Sequence, residues 1–335
     1  MYVYDKLSHS GTWTLEEQEI IHVKSWMALG DCNYEVDHAD DSIPESGVVY
    51  CNIEHIHEFF KKCEKTDNKY VVISAFSDYG VALQEEHPVA IDMLKFLPFV
   101  EGEIAKIGYA SLSIPPRCEI ERCNIEDTYS VKCYSHTYST FDKIPDNVVS
   151  WFTSNSMVRD DRIVSIPLGI HKDRPEDICS TISNQMKSNR SSRVNWVYAN
   201  WQHNTIERYK LKESLLSLNA DWITVVEEEK SYNDYITDLC EHSFAICPQG
   251  NGIDCYRMLE CLYSGCIPII KDEITYDYMK DLPHVKVNSW NEITPDFLKS
   301  HIKKLDMSDF NFNKIKLEYW KQQINEAKNL LRKNG

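Results

Sequence analysis

Residues Phe244-Ala-Ile-Cys-Pro248-Gln-Gly250-Asn-Gly252-Ile-Asp254-Cys-Tyr-Arg257-Met-Leu-Glu260-Cys-Leu-Tyr-Ser-Gly265-Cys-Ile-Pro268-Ile-Ile270 confine the chain more than any other stretch. Ser243 to Cys247 is an apolar run stopped by proline, the pattern of a buried parallel strand ending at a loop. The loop Pro248, Gly250, Asn251 and Gly252 follows, and its glycines let backbone approach a ligand closely. Asp254 to Ser264 is helical in pattern, with Met258, Cys261 and Leu262 on one side and Gly265 at the stop. Ile267 to Ile270 is the next buried strand. Arg257 and Glu260, three residues apart, share a helix face near the strand ends where α/β sheets bind ligands. A cation beside an anionic acceptor suits a nucleotide, with phosphate on the arginine and helix start and ribose hydroxyls on the Glu260 carboxylate; Asp254 is counted with them as a donor-binding residue.

A second strand end, Tyr198-Ala-Asn200-Trp-Gln-His-Asn-Thr205-Ile-Glu-Arg208, also runs into a helix. Arg208 in the first turn, with the free amides there, is suited to a diphosphate, and Asn200 and Thr205 are counted with it as donor-binding residues. An exposed Arg208 paired with Glu207 is an equally good reading of the spacing. The glycine loop lacks the Gly-Lys-Ser/Thr of a P-loop and is not a GxGxxG in a first βα turn, so ATPase and dehydrogenase chemistry lose their main support.

At 335 residues, 42% hydrophobic and 26% charged, the chain suits two globular domains. A net charge of −16 argues against nucleic-acid binding, which needs basic surface to displace counterions. An anionic ligand must therefore be met locally. No apolar stretch reaches membrane length and the N-terminus lacks signal-peptide regions, so the expectation is a soluble, cytoplasmic protein without an integral membrane segment. The 12 cysteines are scattered without a CxxC pair, which favours reduced buried thiols over zinc or disulfides.

The pattern along the chain alternates strand and helix. Thr14-Leu-Glu-Glu17 has capping-box order and predicts a helix over 15–29. Asp31 to Gly47 reads as an acidic loop, in which Asp37, His38, Asp40 and Asp41 are better explained as solvated turn formers than as metal ligands. Strands follow at Val48–Cys51 and Tyr70–Ala75 with a helix between, then a β-rich stretch from Lys106 to Ser139. Asp78 emerges from the second strand end and is a candidate general base, although on spacing alone the commoner reading is that it caps a turn or the following helix. His136 is a reserve catalytic candidate. Strands at Val148–Thr153 and Ile163–Ile166 close the first half, and polar Asp173 to Arg193 reads as the connection to the second. Beyond it, strands at Val194–Ala199, Trp222–Val226, Ser243–Cys247, Ile267–Ile270 and Val285–Val287 alternate with helices, as in a doubly wound parallel sheet. Pro295–Leu305 and Phe312–Leu331 are helical.

Phe244 to Ile270 resembles the exostosin-like glycosyltransferases, whose hallmark is a proline-glycine loop, Arg-x-x-Glu and a Gly-x-Ile-Pro strand. Similar segments are Ile73 to Tyr79, Trp151 to Ile170 with Asn155, and Asn200 to Arg208. The nearest likeness is to compact bacterial and viral members, over residues 70 to 290. The resemblance implies an α/β GT-B fold, two Rossmann-like domains whose parallel sheets face a central cleft. Residues 1–172 would hold the acceptor, 173–311 the nucleotide-sugar donor, and a helix at about 312–335 would pack back on the first domain. It further implies inverting, metal-independent transfer from a nucleotide-diphosphate sugar, with UDP-xylose or another UDP-hexose or UDP-pentose as donor and a glycan hydroxyl as acceptor, and no cofactor. Glu260 would hold ribose, Arg257 and Arg208 the diphosphate, and Asp78 would be the base. Ala75-Phe76 departs from the subgroup's His-Asn. An epimerase or hydrolase of the same fold, or a non-catalytic nucleotide-sugar or glycan-binding protein, are the competing readings.

Overall fold

The computed structural model describes residues 17–34, 42–75, 80–83, 118–122, 129–133, 138–141, 143–171, 174–187, 195–202, 206–250, 252–305 and 309–333. In the first half, helix α1 (Val23–Met27) precedes strands β1 (Cys32–Asn33) and β2 (Gly47–Tyr50). Helix α2 (Ile56–Cys63) then leads to β3 (Tyr70–Ser74). Short strands β4 (Gly80–Leu83), β5 (Cys118–Arg122), β6 (Tyr129–Cys133) and β7 (Tyr138–Phe141) come before β8 (Val148–Thr153) and β9 (Ile163–Ser165). The first sheet is parallel throughout, in the order β1-β2-β3-β8-β9. β4 pairs with β7 and β5 with β6 in two separate ribbons.

The first sheet is stable because its strands are apolar on both faces and each face has its own cover. Val49, Val72 and Trp151 turn toward α2, against Phe59, Phe60 and Cys63. Val48, Tyr50, Val71 and Ile73 turn the other way. Adjacent residues thus enter different cores, as the two-residue period of a strand requires.

The second half begins with helix α3 (Pro175–Lys187), β10 (Asn195–Ala199) and α4 (Ile206–Leu218). There follow β11 (Ile223–Val225), α5 (Tyr232–Glu241), β12 (His242–Ile246), α6 (Arg257–Tyr263), β13 (Ile267–Lys271), β14 (Val285–Val287) and α7 (Pro295–Lys304). Its sheet is parallel in the order β11-β10-β12-β13-β14. Helix α8 (Leu317–Lys333) ends the described chain and packs on β2, β3 and β8 of the first sheet. Trp320 of α8 meets Trp26 of α1 edge-on at 5.9 Å, and Lys328 donates to Asp31 at 2.5 Å. Two five-stranded parallel sheets with flanking helices make the chain α/β, as the expected GT-B class requires. Their facing sides share one core: Tyr50 and Ile73 belong to the same buried cluster as Tyr198, Ala245 and Met258.

Three expectations are corrected. Instead of one helix over 15–29, a 3-10 turn at Glu17–Glu19 and the short α1 are separated by Ile20 and Ile21, both buried. These β-branched residues lie where backbone bridges form: Ile20 pairs with Lys316, and Ile170 donates its N–H to the Ile21 carbonyl. The polar connection at 173–193 contains α3, which buries Ile178, Thr181 and Ile182 and bonds α5 through Thr181 to Asn233 (3.2 Å) and Gln185 to Thr237 (3.3 Å). The helix expected from Asp254 begins only at Arg257, because the Asp254 carboxylate accepts the Cys255 N–H and holds the lead-in outside the helix. Capping at Thr14 and the Asp37–Asp41 cluster lie outside the described residues.

Candidate functional site

β12 delivers the loop at Pro248, and α4 delivers Arg208 to the same place. Arg208 is only 6% exposed, and its Nη2 donates to the Pro248 carbonyl at 3.0 Å. Gly250 leaves room for this approach: a Cβ there would stand 2.8 Å from Arg208 Nη2, and the guanidinium would have to shift. The loop is closed on itself by Gly250 N–H donating to the Gly252 carbonyl at 2.9 Å. Burial, and then the like charge of Arg257, depress the Arg208 pKa from 12.5 to about 10. It remains cationic at neutral pH, in surroundings that make the charge costly.

Arg257 opens α6 with its guanidinium over the Tyr235 ring, 5.9 Å from the centroid. Its Nε is buried without a hydrogen-bond partner among the described residues. Glu260, one turn on, is 4% exposed and receives two phenols, Tyr232 at 3.1 Å on Oε1 and Tyr235 at 2.9 Å on Oε2. Burial raises its pKa, opposed by the Tyr235 hydrogen bond and by Arg257. Each carboxylate oxygen keeps a further lone pair for a ligand hydroxyl.

The structure thus brings together Arg208, Pro248, Gly250, Gly252, Arg257 and Glu260. Asn200 sits at the end of β10 with its amide turned to the Tyr198 hydroxyl at 2.9 Å, which in turn donates to Asp238 at 2.7 Å. Asp254 is 2% exposed and spends its carboxylate on protein donors, so it does not join the residues available to a ligand. Thr205, Asn251, Asp78 and His136 lie outside the described residues. Tyr232 and Tyr235 were missed, although two tyrosines three apart behind a Ser231 helix cap were visible as one helix face. A separate cavity of about 400 Å3 opens where both halves meet, lined by Ser156, Arg159 and Asp161 on one side and Ile274 and Asp277 on the other. The Arg159–Asp277 ion pair, 3.2 Å, joins its walls.

Two parallel sheets with a buried cationic site at the strand ends of the second form the frame of a glycosyltransferase. The exostosin GT47 domain matches residues 125–305, over half of the chain, and the protein belongs to that family. A solved structure of trehalose-6-phosphate synthase is similar at 7% identity and a TM-score of 0.36, over 87% of this chain and 74% of that one. No curated protein matches the chain. No helix among the described residues is long and apolar enough to cross a membrane.

Proposed function

We propose that the second half binds a nucleotide-diphosphate sugar, a UDP-sugar by first choice, and that the enzyme transfers the sugar to a glycan hydroxyl with inversion. The observation carrying this reading is the buried Arg208–Arg257 pair beside the glycine loop. Two like charges held out of water are a cost in the free protein, and a diphosphate offsets that cost. The same charges stabilise the negative charge growing on the departing diphosphate, so no divalent metal is required for the step. Glu260, steadied by two tyrosines, accepts the ribose hydroxyls.

On the acceptor side Asp78 takes the proton from the attacking hydroxyl as oxygen reaches the anomeric carbon opposite the leaving group, and a single displacement inverts that centre. His136 is the reserve for this role. Asp78→Asn should abolish transfer while nucleotide binding persists; normal turnover in that variant removes Asp78 as base.

Thermal stabilisation by a panel of nucleoside diphosphates and nucleotide sugars, with and without EDTA, tests the donor site, since a ligand of the folded state raises its apparent stability. One nucleotide series should stand out and be insensitive to the chelator. Stabilisation by none of them would reject the reading. Product analysis with and without glycan acceptors separates transfer from hydrolysis or epimerisation.

A further inference from the structure

We propose that Asp254 is a positioning residue: through Asn155 and Leu168, and backed by Tyr278 of its own half, it clasps the lead-in to α6 onto the first half, and so fixes where Arg257 and Glu260 stand. The proposal rests on the donor-site reading above and adds to it the device that aligns the site with the acceptor side.

The clasp is built from both directions. Asp254 Oδ2 accepts the Leu168 N–H at 2.9 Å, from the loop after β9, while the Asp254 N–H donates to Asn155 Oδ1 at 2.7 Å, from the loop after β8. Tyr278 donates its hydroxyl to the carboxylate at 3.1 Å, and the Cys255 N–H donates to Oδ1 at 2.9 Å. Asn155 is wholly buried with φ of +54°, a left-handed backbone that asparagine tolerates better than most residues. Gly169, beside Leu168, has φ of +98°, and a Cβ there would meet the His22 backbone at 3.0 Å. Both partner loops therefore hold backbone conformations that few other residues would accept.

A carboxylate is the group this place requires. Leu168 N–H, Cys255 N–H and the Tyr278 hydroxyl all donate to it. An amide of the same shape would set its own N–H2 against at least one of these donors.

The other end of α6 is tied in the same way. Tyr263, the last residue of α6, accepts the Ile21 N–H of the first half at 2.9 Å and donates to the Ile315 carbonyl, just ahead of α8, at 2.8 Å, so α6 is tied at both ends. Arg257 stands three residues from Asp254 and inherits its register. A helix fastened at both ends cannot turn its charged face independently of the first half, and any relative movement of the sheets carries that face with it.

The test compares wild type, Asp254→Asn, Asn155→Ala, Arg257→Ala and the Asp254→Asn/Arg257→Ala double variant, with UDP, GDP, ADP and CDP titrated calorimetrically into the full chain. For the tightest of the four, Asp254→Asn and Asn155→Ala should each weaken binding about tenfold, the loss of roughly one hydrogen bond's worth of alignment. In the Arg257→Ala background Asp254→Asn should cost less than about threefold, because the group it aligns is gone. A purely structural role predicts a lower melting temperature with unchanged affinity, or losses that multiply in full in the double variant, and either result overturns the proposal. Tyr278→Phe, which removes one donor only, is the reserve should Asp254→Asn not fold; unchanged affinity there also overturns it. If Arg257→Ala alone leaves affinity intact, or none of the four binds, the donor-site reading fails and the clasp's function falls with it, an outcome read without reference to Asp254.

Discussion

The two halves share an architecture but use their buried polar atoms differently. In the first, Trp151 donates its indole N–H to Ser74 at 2.9 Å, Tyr50 its hydroxyl to the Ala75 carbonyl at 2.7 Å, and the Asn147 amide reaches the carbonyls of Cys63, Thr66 and Asn68. Those are neutral groups closing neutral gaps. In the second, charged groups are buried as well, Arg208, Glu260 and Asp254 among them, and the neighbouring Arg257 helps depress the Arg208 pKa. A buried neutral hydrogen bond returns its cost in the folded chain alone, whereas like charges return theirs when something else arrives.

Truncating Trp151 to alanine should break the first half most severely. The indole is fully buried and edge-on to Phe60 at 5.0 Å, and its loss should cost about 3–5 kcal/mol in denaturant titration while nucleotide affinity in the surviving folded fraction stays unchanged. Arg257→Ala should do the reverse, costing about 1.5–3 kcal/mol of nucleotide binding, by calorimetry, with little loss of stability. If both variants moved both measurements together, the contrast between the halves would be wrong.

Asp254 sharpens the comparison through pH. Burial raises its pKa from the ordinary 3.8 to about 6, against the opposing hydrogen bonds from Leu168, Tyr278 and Cys255. The folded chain therefore binds a proton that the unfolded chain has released across that window. The resulting stabilisation is complete below the unfolded value and is lost as pH rises through about 6. Denaturation at a series of pH values should show wild-type stability falling relative to Asp254→Asn between these limits and running parallel above pH 7; a flat difference would place the carboxylate in a more polar setting. The smallest effect belongs to Gly250→Ala. Its new methyl group would displace the Arg208 guanidinium from the Pro248 carbonyl, weakening nucleotide binding by about 1 kcal/mol with stability nearly unchanged, measurable by the same titrations.

The strands were legible in the sequence wherever apolar runs were short and bounded, as at Tyr70–Ser74 and Ile267–Lys271, because burial on both faces demands nothing more specific. Arg257 and Glu260 were legible because three-residue spacing is a local property of a helix. The composition of 173–193 concealed α3, whose apolar face needs only Ile178, Thr181 and Ile182 at helical intervals amid polar neighbours. The partners that engage Asp254 were hidden for a different reason. Leu168 and Asn155 stand 86 and 99 residues away, and no spacing within the motif encodes them.

Helix α8 has a consequence for the order of events in folding. The chain lays β2, β3 and β8 down early, yet part of the cover on their inner face comes from Trp320, Ile324 and Ala327, translated after every strand of the second sheet. A ribosome-bound first half therefore carries an incompletely covered apolar sheet until the second half has emerged. Supplied separately, a peptide spanning 309–333 would be the missing wall of a building whose other rooms are already finished.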